Sequence, residues 1–227
     1  MTYDTLRVMS PPPPSTAAGL RLQALFPTLV GEVDHPDAEA LNASLVDYIR
    51  WRERQEPDRS PLTTVNHGWQ SGLDLLEAEV PAIHALKRFI NHHVESFLAE
   101  WGRLMHSASA PSSFRYGYRG WAVILRQGGF QHEHIHSRTD LVGVYYAQVP
   151  AVPPGVAAGG ALSLTDPRGG RLATRAMWDV DRINLQPVAG RLLLFPSFLA
   201  HRVEQVLVPG ERISINFDVQ VEAVNPR

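Results

Sequence analysis

The 227-residue sequence contains no cysteine. This absence excludes disulfide bonds, thiolate metal ligands and a cysteine nucleophile, so a metal site in this chain must use other donor atoms. A chain without cysteine is compatible with a reducing compartment, and we expect a cytoplasmic protein.

Neither sign of charge dominates the sequence. The 21 Lys and Arg residues against 23 Asp and Glu residues leave a formal net charge of −2, so nothing argues for a nucleic acid or an anionic membrane as partner. Long apolar runs are also missing, and the stretch from Met1 to Ala18 lacks the apolar core of a signal peptide. We expect neither a secretory signal nor a membrane span, and no pattern predicts an oligomeric state.

A chain of this length can form one β-rich domain with an adequate core. The run of four prolines from Pro11 predicts a flexible arm over residues 1–22, followed by a single domain over 23–227. From Phe114 onward, short β-rich runs alternate with turn signals, which predicts a β core over 114–222. This pattern is typical of an antiparallel sandwich or barrel, so the fold class is mainly β with N-terminal supporting helices, an α+β arrangement.

Two amphipathic segments within residues 34–104 predict the supporting helices. In the first, Leu41 and Leu45 recur at helical spacing behind a capping signal formed by Asp34 and Asp37. The second is marked by a first-turn proline and an apolar stripe: Pro81, then Ile83, Leu86, Ile90, Val94, Phe97 and Trp101. Such stripes have to be buried, so these helices are expected to buttress the sheet. Between them, the polar stretch from Gln55 to Gly72 predicts a loop.

His134 and His136 form the centre of the candidate site. Side chains at positions i and i+2 of a strand point to the same side, so both imidazoles can reach one ion. His201 follows a β-rich run that ends at Pro196, which places a third imidazole in or just after the next loop. Three imidazoles can hold a transition metal. His132 shares the parity of the pair, but we leave it out of the metal set.

Arg212, Ser214 and Asn216 alternate with apolar residues, a pattern that predicts a strand with one polar and one core face. The guanidinium fork binds two carboxylate oxygens and the hydroxyl adds a donor, so Arg212 and Ser214 suit a dicarboxylate. The alternative is a solvated outer face with an ordinary arginine. A turn signal at Pro209-Gly210 predicts that this strand lies beside the strand of His201.

These residues and their surroundings resemble a bacterial and phage branch of 2-oxoglutarate-Fe(II) oxygenases. The resemblance runs from about Leu25 to Val219. Its motifs are Gly129-Phe130-Gln131, His134-Ile135-His136, Gly143-Val144-Tyr145-Tyr146, Asp166-Pro167-Arg168, Phe195-Pro196-Ser197 with His201, and Arg212-Ile213-Ser214. The resemblance implies a double-stranded β-helix, or cupin-like jelly roll, with the metal at its open mouth. It also implies that His134 and His201 match the first and last iron ligands, and that Arg212 and Ser214 bind the far carboxylate of 2-oxoglutarate.

One position departs from the wider superfamily, whose pattern is His-x-Asp or His-x-Glu with a distant His. His136 takes the place of the acid, which leaves the site more positive. Three imidazoles suit iron, but zinc, nickel or copper would also be accepted. Of the nearby carboxylates, Glu133 has the opposite strand parity and Asp140 lies beyond an expected bend, so both rank below His136.

The resemblance implies an oxidoreductase, a dioxygenase that uses Fe(II), 2-oxoglutarate and O2. It would hydroxylate a C–H bond of a small-molecule or peptide substrate and release succinate and carbon dioxide. Two other classes stay open. A cupin-like dioxygenase would use the same three histidines without a cosubstrate and would not need Arg212, and a non-catalytic jelly roll would hold a structural metal or none.

Further side chains are expected near this site. Tyr145 or Tyr146 is expected to donate a hydrogen bond to the cosubstrate, although packing within the sheet is an equally good interpretation. The candidates for the substrate pocket are Trp121, Gln131, Asp166 and Arg168. The last two are expected at the mouth, although Asp-Pro is first of all a turn signal.

Overall fold

The computed structural model describes residues 27–57, 64–104, 114–152, 159–168 and 180–223. The predicted arm over residues 1–22 lies outside these ranges. Within them the helices are α1 Ala38–Gln55 and α2 Pro81–Leu104, with a short 3-10 helix at Leu75–Glu77. The strands are β1 Gly31–Asp34, β2 Val65–Gln70, β3 Phe114–His134, β4 Leu141–Gln148, β5 Leu162–Thr165, β6 Arg182–Leu185, β7 Arg191–Pro196, β8 His201–Val203 and β9 Glu211–Ala223.

The second helix agrees with its sequence pattern. It begins at Pro81, and the side chains of Ile83, Leu86, Ile90 and Val94 on its stripe are fully buried. None of the helices in the described ranges is both long and apolar enough to cross a bilayer.

The predicted capping signal of the first helix is wrong. Asp34 is the last residue of β1 and pairs with Arg191 across the β1–β7 ladder, with Nε and Oδ1 2.7 Å apart. Asp37 stands at the N-cap of α1, but its side chain makes no capping hydrogen bond. Antiparallel pairing with β7 therefore takes Asp34 away from the helix that its spacing suggested.

The predicted loop from Gln55 to Gly72 is also wrong in part, because it contains β2. Val65 and Trp69 are buried and point into the protein, while β2 pairs antiparallel with β3 over Val65–Gln70. The polar residues between them made the stretch resemble a loop, but pairing with a neighbouring strand satisfies its backbone groups.

The strands form one curled antiparallel sheet in the order β1-β7-β4-β9-β3-β8-β5-β6, with β2 also paired to β3. The central element is β3, which is 21 residues long. Its first part pairs with β9 from Phe114 to Arg126, and its last part pairs with β8 at Gln131 and His134. A single strand thus links the two halves of the sheet.

The change of partner along β3 occurs at the Gly128-Gly129 pair. Gly128 has a φ of +86°, a left-handed conformation that favours glycine. The pair therefore marks a bend within β3. Because β3 runs between β8 and β9, the prediction that the strands of His201 and Arg212 are neighbours is wrong.

Side chains on the two faces of the sheet pack into two separate cores. On the helix face, residues such as Ile124, Ile213 and Ile215 pack against α1 and α2. On the opposite side, which we call the inner face, Val123, Val144 and other apolar residues pack across the curl of the sheet. The alternation of side chains along each strand sends neighbouring residues into different cores.

Candidate metal centre

Three histidines meet at one end of the inner face. His134 is the last residue of β3, His201 is the first residue of β8, and the two are direct partners in the β3–β8 ladder. His136 lies two residues past His134, on the same side, while Ile135 between them is 58% exposed. One ring nitrogen from each histidine lies within 4.8 Å of the other two, close enough for one ion to contact all three.

Each of the three rings is held by a hydrogen bond through its Nδ1 atom. Nδ1 of His134 lies 2.7 Å from the carbonyl oxygen of His132, and Nδ1 of His201 lies 2.9 Å from that of Leu199. Nδ1 of His136 lies 2.5 Å from the carboxylate of Asp218. Because these oxygens can only accept, Nδ1 carries the hydrogen and Nε2 keeps a free lone pair. The same arrangement orients histidine ligands in metal sites.

Burial keeps two of the imidazoles uncharged. Removal from water lowers the pKa of His201 to about 3, and the nearby His134 ring adds to this effect. Burial also lowers the pKa of His134 below its ordinary value. Neutral imidazole is the form that binds metal ions, so these rings are ready to act as ligands at neutral pH.

Arg212 is buried on the inner face and has no ionic partner among the described residues. The residue is 1% exposed, its Nε donates to the carbonyl oxygen of Gly160 at 2.9 Å, and its Nη1 donates to Ser214 Oγ at 3.2 Å. Gly160 has a φ of +67° that favours glycine and brings its backbone against the arginine side chain. Burial lowers the pKa of Arg212, but a guanidinium still keeps its proton at neutral pH. A buried cation of this kind requires an anion.

Two polar atoms at Arg212 are buried without a hydrogen-bond partner in the described parts of the chain. They are Nη2 of Arg212 itself and the hydroxyl oxygen of Tyr146, whose ring lies beside the guanidinium. Ser214 Oγ accepts from both Arg212 and Asn216, which leaves its own proton to donate. Unsatisfied donors around a buried guanidinium match the oxygens of a carboxylate ligand.

Asp218 is a residue of this site that sequence reasoning missed. Its Oδ1 accepts from His136 and its Oδ2 accepts from Nε and Nη2 of Arg119, at 3.1 and 3.0 Å. The available signal was parity, because Asp218 continues the series of Arg212, Ser214 and Asn216 along β9. Neither Glu133 nor Asp140 takes this position.

Those two carboxylates are committed elsewhere. Glu133 accepts hydrogen bonds from Thr165 of β5 and Arg182 of β6. Asp140 accepts the backbone N–H of Val221 at 2.8 Å. His132, which was left out of the metal set, contacts the ring of Phe130 and is exposed.

The two adjacent tyrosines lie on different faces of β4. Tyr146 is on the inner face, where the Arg212 guanidinium lies 4.9 Å from the centre of its ring. Tyr145 is on the helix face, and its hydroxyl donates to Asn42 Oδ1 at 2.7 Å. Tyr145 is therefore not at the candidate site, because a one-residue step along a strand reverses the face.

The four residues predicted for the substrate pocket fall into two pairs. Trp121 and Gln131 line the cavity that also contains the three histidines and Arg212. Asp166 and Arg168 do not; they are joined by a hydrogen bond from Arg168 Nε to Asp166 Oδ1 at 3.0 Å and line a separate cleft with Ile183 and Leu199. The turn expected from Asp-Pro explains their position.

Comparison with known proteins agrees with this geometry. A family model described as "Putative 2OG-Fe(II) oxygenase" matches residues 119–218, which include the three histidines, Arg212, Ser214 and Asp218. The resemblance that the motifs indicated is confirmed over this range, and its extension back to Leu25 stays a prediction. None of the curated proteins compared with this chain matches it.

Solved structures with the same fold include two prolyl hydroxylases. A prolyl-4-hydroxylase from Pseudomonas putida is 18% identical with a TM-score of 0.52, over 84% of this chain and 91% of that one. A prolyl hydroxylase from Trichoplax adhaerens, in complex with a peptide fragment of hypoxia inducible factor, is 12% identical with a TM-score of 0.56, over 84% and 83%. These likenesses confirm the double-stranded β-helix. Within this fold, residues 119–218 are similar to the family model of 2OG-Fe(II) oxygenases.

Proposed function

We propose that the protein is an Fe(II)- and 2-oxoglutarate-dependent dioxygenase that hydroxylates a C–H bond of a peptide or small-molecule substrate. His134, His136 and His201 hold the iron through their Nε2 atoms. When bound, iron and 2-oxoglutarate supply the oxygen chemistry, and the coproducts are succinate and carbon dioxide. The protein binds and orients the reacting groups and excludes water from them.

The buried and unpaired Arg212 is the observation that carries this proposal. A guanidinium that is 1% exposed and lacks a carboxylate partner in the described residues is costly unless a ligand neutralises it. The far carboxylate of 2-oxoglutarate supplies that charge, with the hydroxyls of Ser214 and Tyr146 as further donors. The three histidines line the same cavity, so they would hold the metal beside the keto acid end of the cosubstrate.

The cavity has to widen when the cosubstrate enters. Its volume is about 20 Å³, whereas sites for small organic ligands range from roughly 300 to 1,000 Å³. Gln131 lines this cavity, and its amide donates a 3.4 Å hydrogen bond to Thr64 Oγ1.

The two alternative classes explain the site less well. A three-histidine dioxygenase without a cosubstrate has no use for a buried, unpaired arginine beside the metal. A structural metal site is normally closed by four protein ligands, whereas the described residues offer a cluster of three. Three ligands leave positions for a cosubstrate and for oxygen.

The substrate approaches along a groove that extends the inner face beyond His136. Arg115, Gly117 and Arg119 continue the parity of Trp121 along β3, and their partners on β9 are Glu222, Gln220 and Asp218. Together with the loop at Arg138, they enclose a groove of about 610 Å³. This volume admits a short peptide segment or a small molecule.

The cosubstrate site is tested by spectroscopy under anaerobic conditions. Fe(II) is added to the metal-free protein, followed by 2-oxoglutarate, and the weak visible charge-transfer band of the chelate is recorded. We expect the band in the native protein and its loss in Arg212→Ala. Arg126→Ala is the matched control, because Arg126 is also a strand arginine but pairs with Glu53 of α1 on the helix face.

A normal band in Arg212→Ala would remove Arg212 from the cosubstrate site. Turnover is then measured with proline-containing peptides and free proline, because the structural neighbours include prolyl hydroxylases. Hydroxylation is detected as a mass increase of one oxygen atom that matches the succinate released. Oxygen consumption without succinate would favour the cosubstrate-free alternative.

A further inference from the structure

A carboxylate lies directly behind one of the three proposed metal ligands. Asp218 is 5% exposed, and its Oδ1 lies 2.5 Å from Nδ1 of His136. The other two rings instead meet the backbone carbonyl oxygens of His132 and Leu199. His136 is also the residue that occupies the place of the usual acidic ligand. Among the three histidines, the one that replaces a carboxylate ligand therefore contacts a carboxylate through its Nδ1 atom.

The contact fixes which nitrogen of His136 faces the metal. A carboxylate only accepts hydrogen bonds, so Asp218 keeps the hydrogen on Nδ1 and the lone pair on Nε2. The ring of Trp121 stacks against His136 with centroids 5.8 Å apart, which limits rotation of the imidazole. Orientation and tautomer are therefore both determined before a metal arrives.

Arg119 holds the same carboxylate from the side of the substrate groove. Its Nε and Nη2 donate to Oδ2 at 3.1 and 3.0 Å, so the two oxygens of Asp218 have separate partners. The strands place this pair directly, since Arg119 and Asp218 are opposite each other in the β3–β9 ladder. A carboxylate held from two sides has little freedom to turn away from His136.

The geometry points to Asp218 as a positioning residue of the metal centre. It supplies through His136 the negative charge that a directly coordinating carboxylate supplies in the wider superfamily, and it locks the metal-binding tautomer. This inference rests on the proposed metal centre and extends it to a residue that does not touch the ion. Arg119 assists by holding the carboxylate in place.

The test uses metal-free protein and Co(II) as the probe. Asp218→Asn keeps the size of the side chain but removes the charge and offers an amide N–H to Nδ1, which permits the wrong tautomer. We expect Co(II) affinity to fall about 10- to 100-fold, the usual effect of losing such a partner. Nitrogen NMR of the His136 ring should show hydrogen on Nδ1 in the native protein and a shift toward Nε2 in the variant.

Glu222→Gln is the matched control. Glu222 pairs with Arg115 in the same ladder, at 3.2 Å, but makes no hydrogen bond or ion pair with a histidine of the described ranges. We expect native Co(II) affinity in this variant and partial recovery in Asp218→Glu, which restores the charge. Circular dichroism checks that each variant is folded.

Native affinity and an unchanged tautomer in Asp218→Asn would overturn the inference while leaving the metal centre intact. If Asp218→Asn does not fold, nitrogen NMR of the His136 ring in the native protein becomes the test. Hydrogen on Nδ1 would support the role assigned to Asp218, and hydrogen on Nε2 would contradict it. Failure of the native protein to bind Co(II) would instead remove the metal centre itself.

Discussion

The two faces of β9 differ although their residues alternate along one strand. Ile213, Ile215 and Phe217 are fully buried on the helix face and pack against apolar side chains of α1, α2 and neighbouring strands. Arg212 and Asp218 are almost as deeply buried on the inner face, but they are charged. The degree of burial alone therefore does not distinguish residues of the hydrophobic core from residues of the candidate site.

The two faces differ in how the buried tyrosine hydroxyls of β4 are satisfied. On the helix face, the buried hydroxyl of Tyr145 donates to Asn42. On the inner face, the hydroxyl of Tyr146 and Nη2 of Arg212 have no partner in the described residues. Unsatisfied buried groups lower stability, and they are retained where a ligand satisfies them. Both faces carry a hydrophobic core, and the inner face also carries the proposed ligand site.

The largest effect on stability is expected on the helix face. Leu86→Ala removes a fully buried side chain from α2, which should lower the free energy of unfolding by about 2 to 5 kcal/mol. Urea denaturation measures this loss. The chelate band of the folded variant should be unchanged, and a weakened band would show that the two faces are coupled.

Arg212→Leu tests the inner face and should separate function from stability. Losing the anchor of the cosubstrate carboxylate should raise the half-saturating concentration of 2-oxoglutarate about 100-fold, or about 2.7 kcal/mol. The metal-free variant should be at least as stable as the native protein, because an unpaired buried cation is replaced by an apolar group. Titration and urea denaturation measure the two quantities. A loss of several kcal/mol of stability would mean that Arg212 serves the fold.

Tyr145 and Tyr146 are adjacent residues of the same type on opposite faces of β4, so they give the most closely matched comparison and the smallest expected effects. Tyr145→Phe breaks the hydrogen bond to Asn42, so it should cost about 1 kcal/mol of stability and leave 2-oxoglutarate binding unchanged. Tyr146→Phe removes an unpartnered hydroxyl, so it should leave stability unchanged and weaken 2-oxoglutarate binding by about 1 kcal/mol. Equal behaviour of the two variants would contradict the division between faces.

Local periodicity predicted much of this arrangement from sequence. The spacing of His134 and His136, and the alternation of Arg212 with Ser214, depend only on which side of a strand each residue occupies. The same parity extends one step further to Asp218, and applying it there would have found the partner of His136. The apolar stripe of α2 was equally local.

Partner choice between strands was not predictable in the same way. The turn at Pro209-Gly210 suggested that β8 and β9 pair with each other, yet β3 lies between them. That outcome depends on β3 being 21 residues long and bending at Gly128, so that it serves both halves of the sheet. Asp34 was predicted to cap α1, but it pairs within the β1–β7 ladder instead. This error has the same cause, because strand pairing joins residues that are distant in sequence.

The central claim is that the inner face binds one metal ion and one molecule of 2-oxoglutarate between the three histidines and Arg212. The most direct measurement is a crystal structure of the anaerobic complex with Fe(II) and 2-oxoglutarate, with the metal located by anomalous scattering. We predict a single metal peak bonded to Nε2 of His134, His136 and His201, with the far carboxylate of 2-oxoglutarate on Arg212. A metal bound elsewhere, or a cosubstrate turned away from Arg212, would contradict the account.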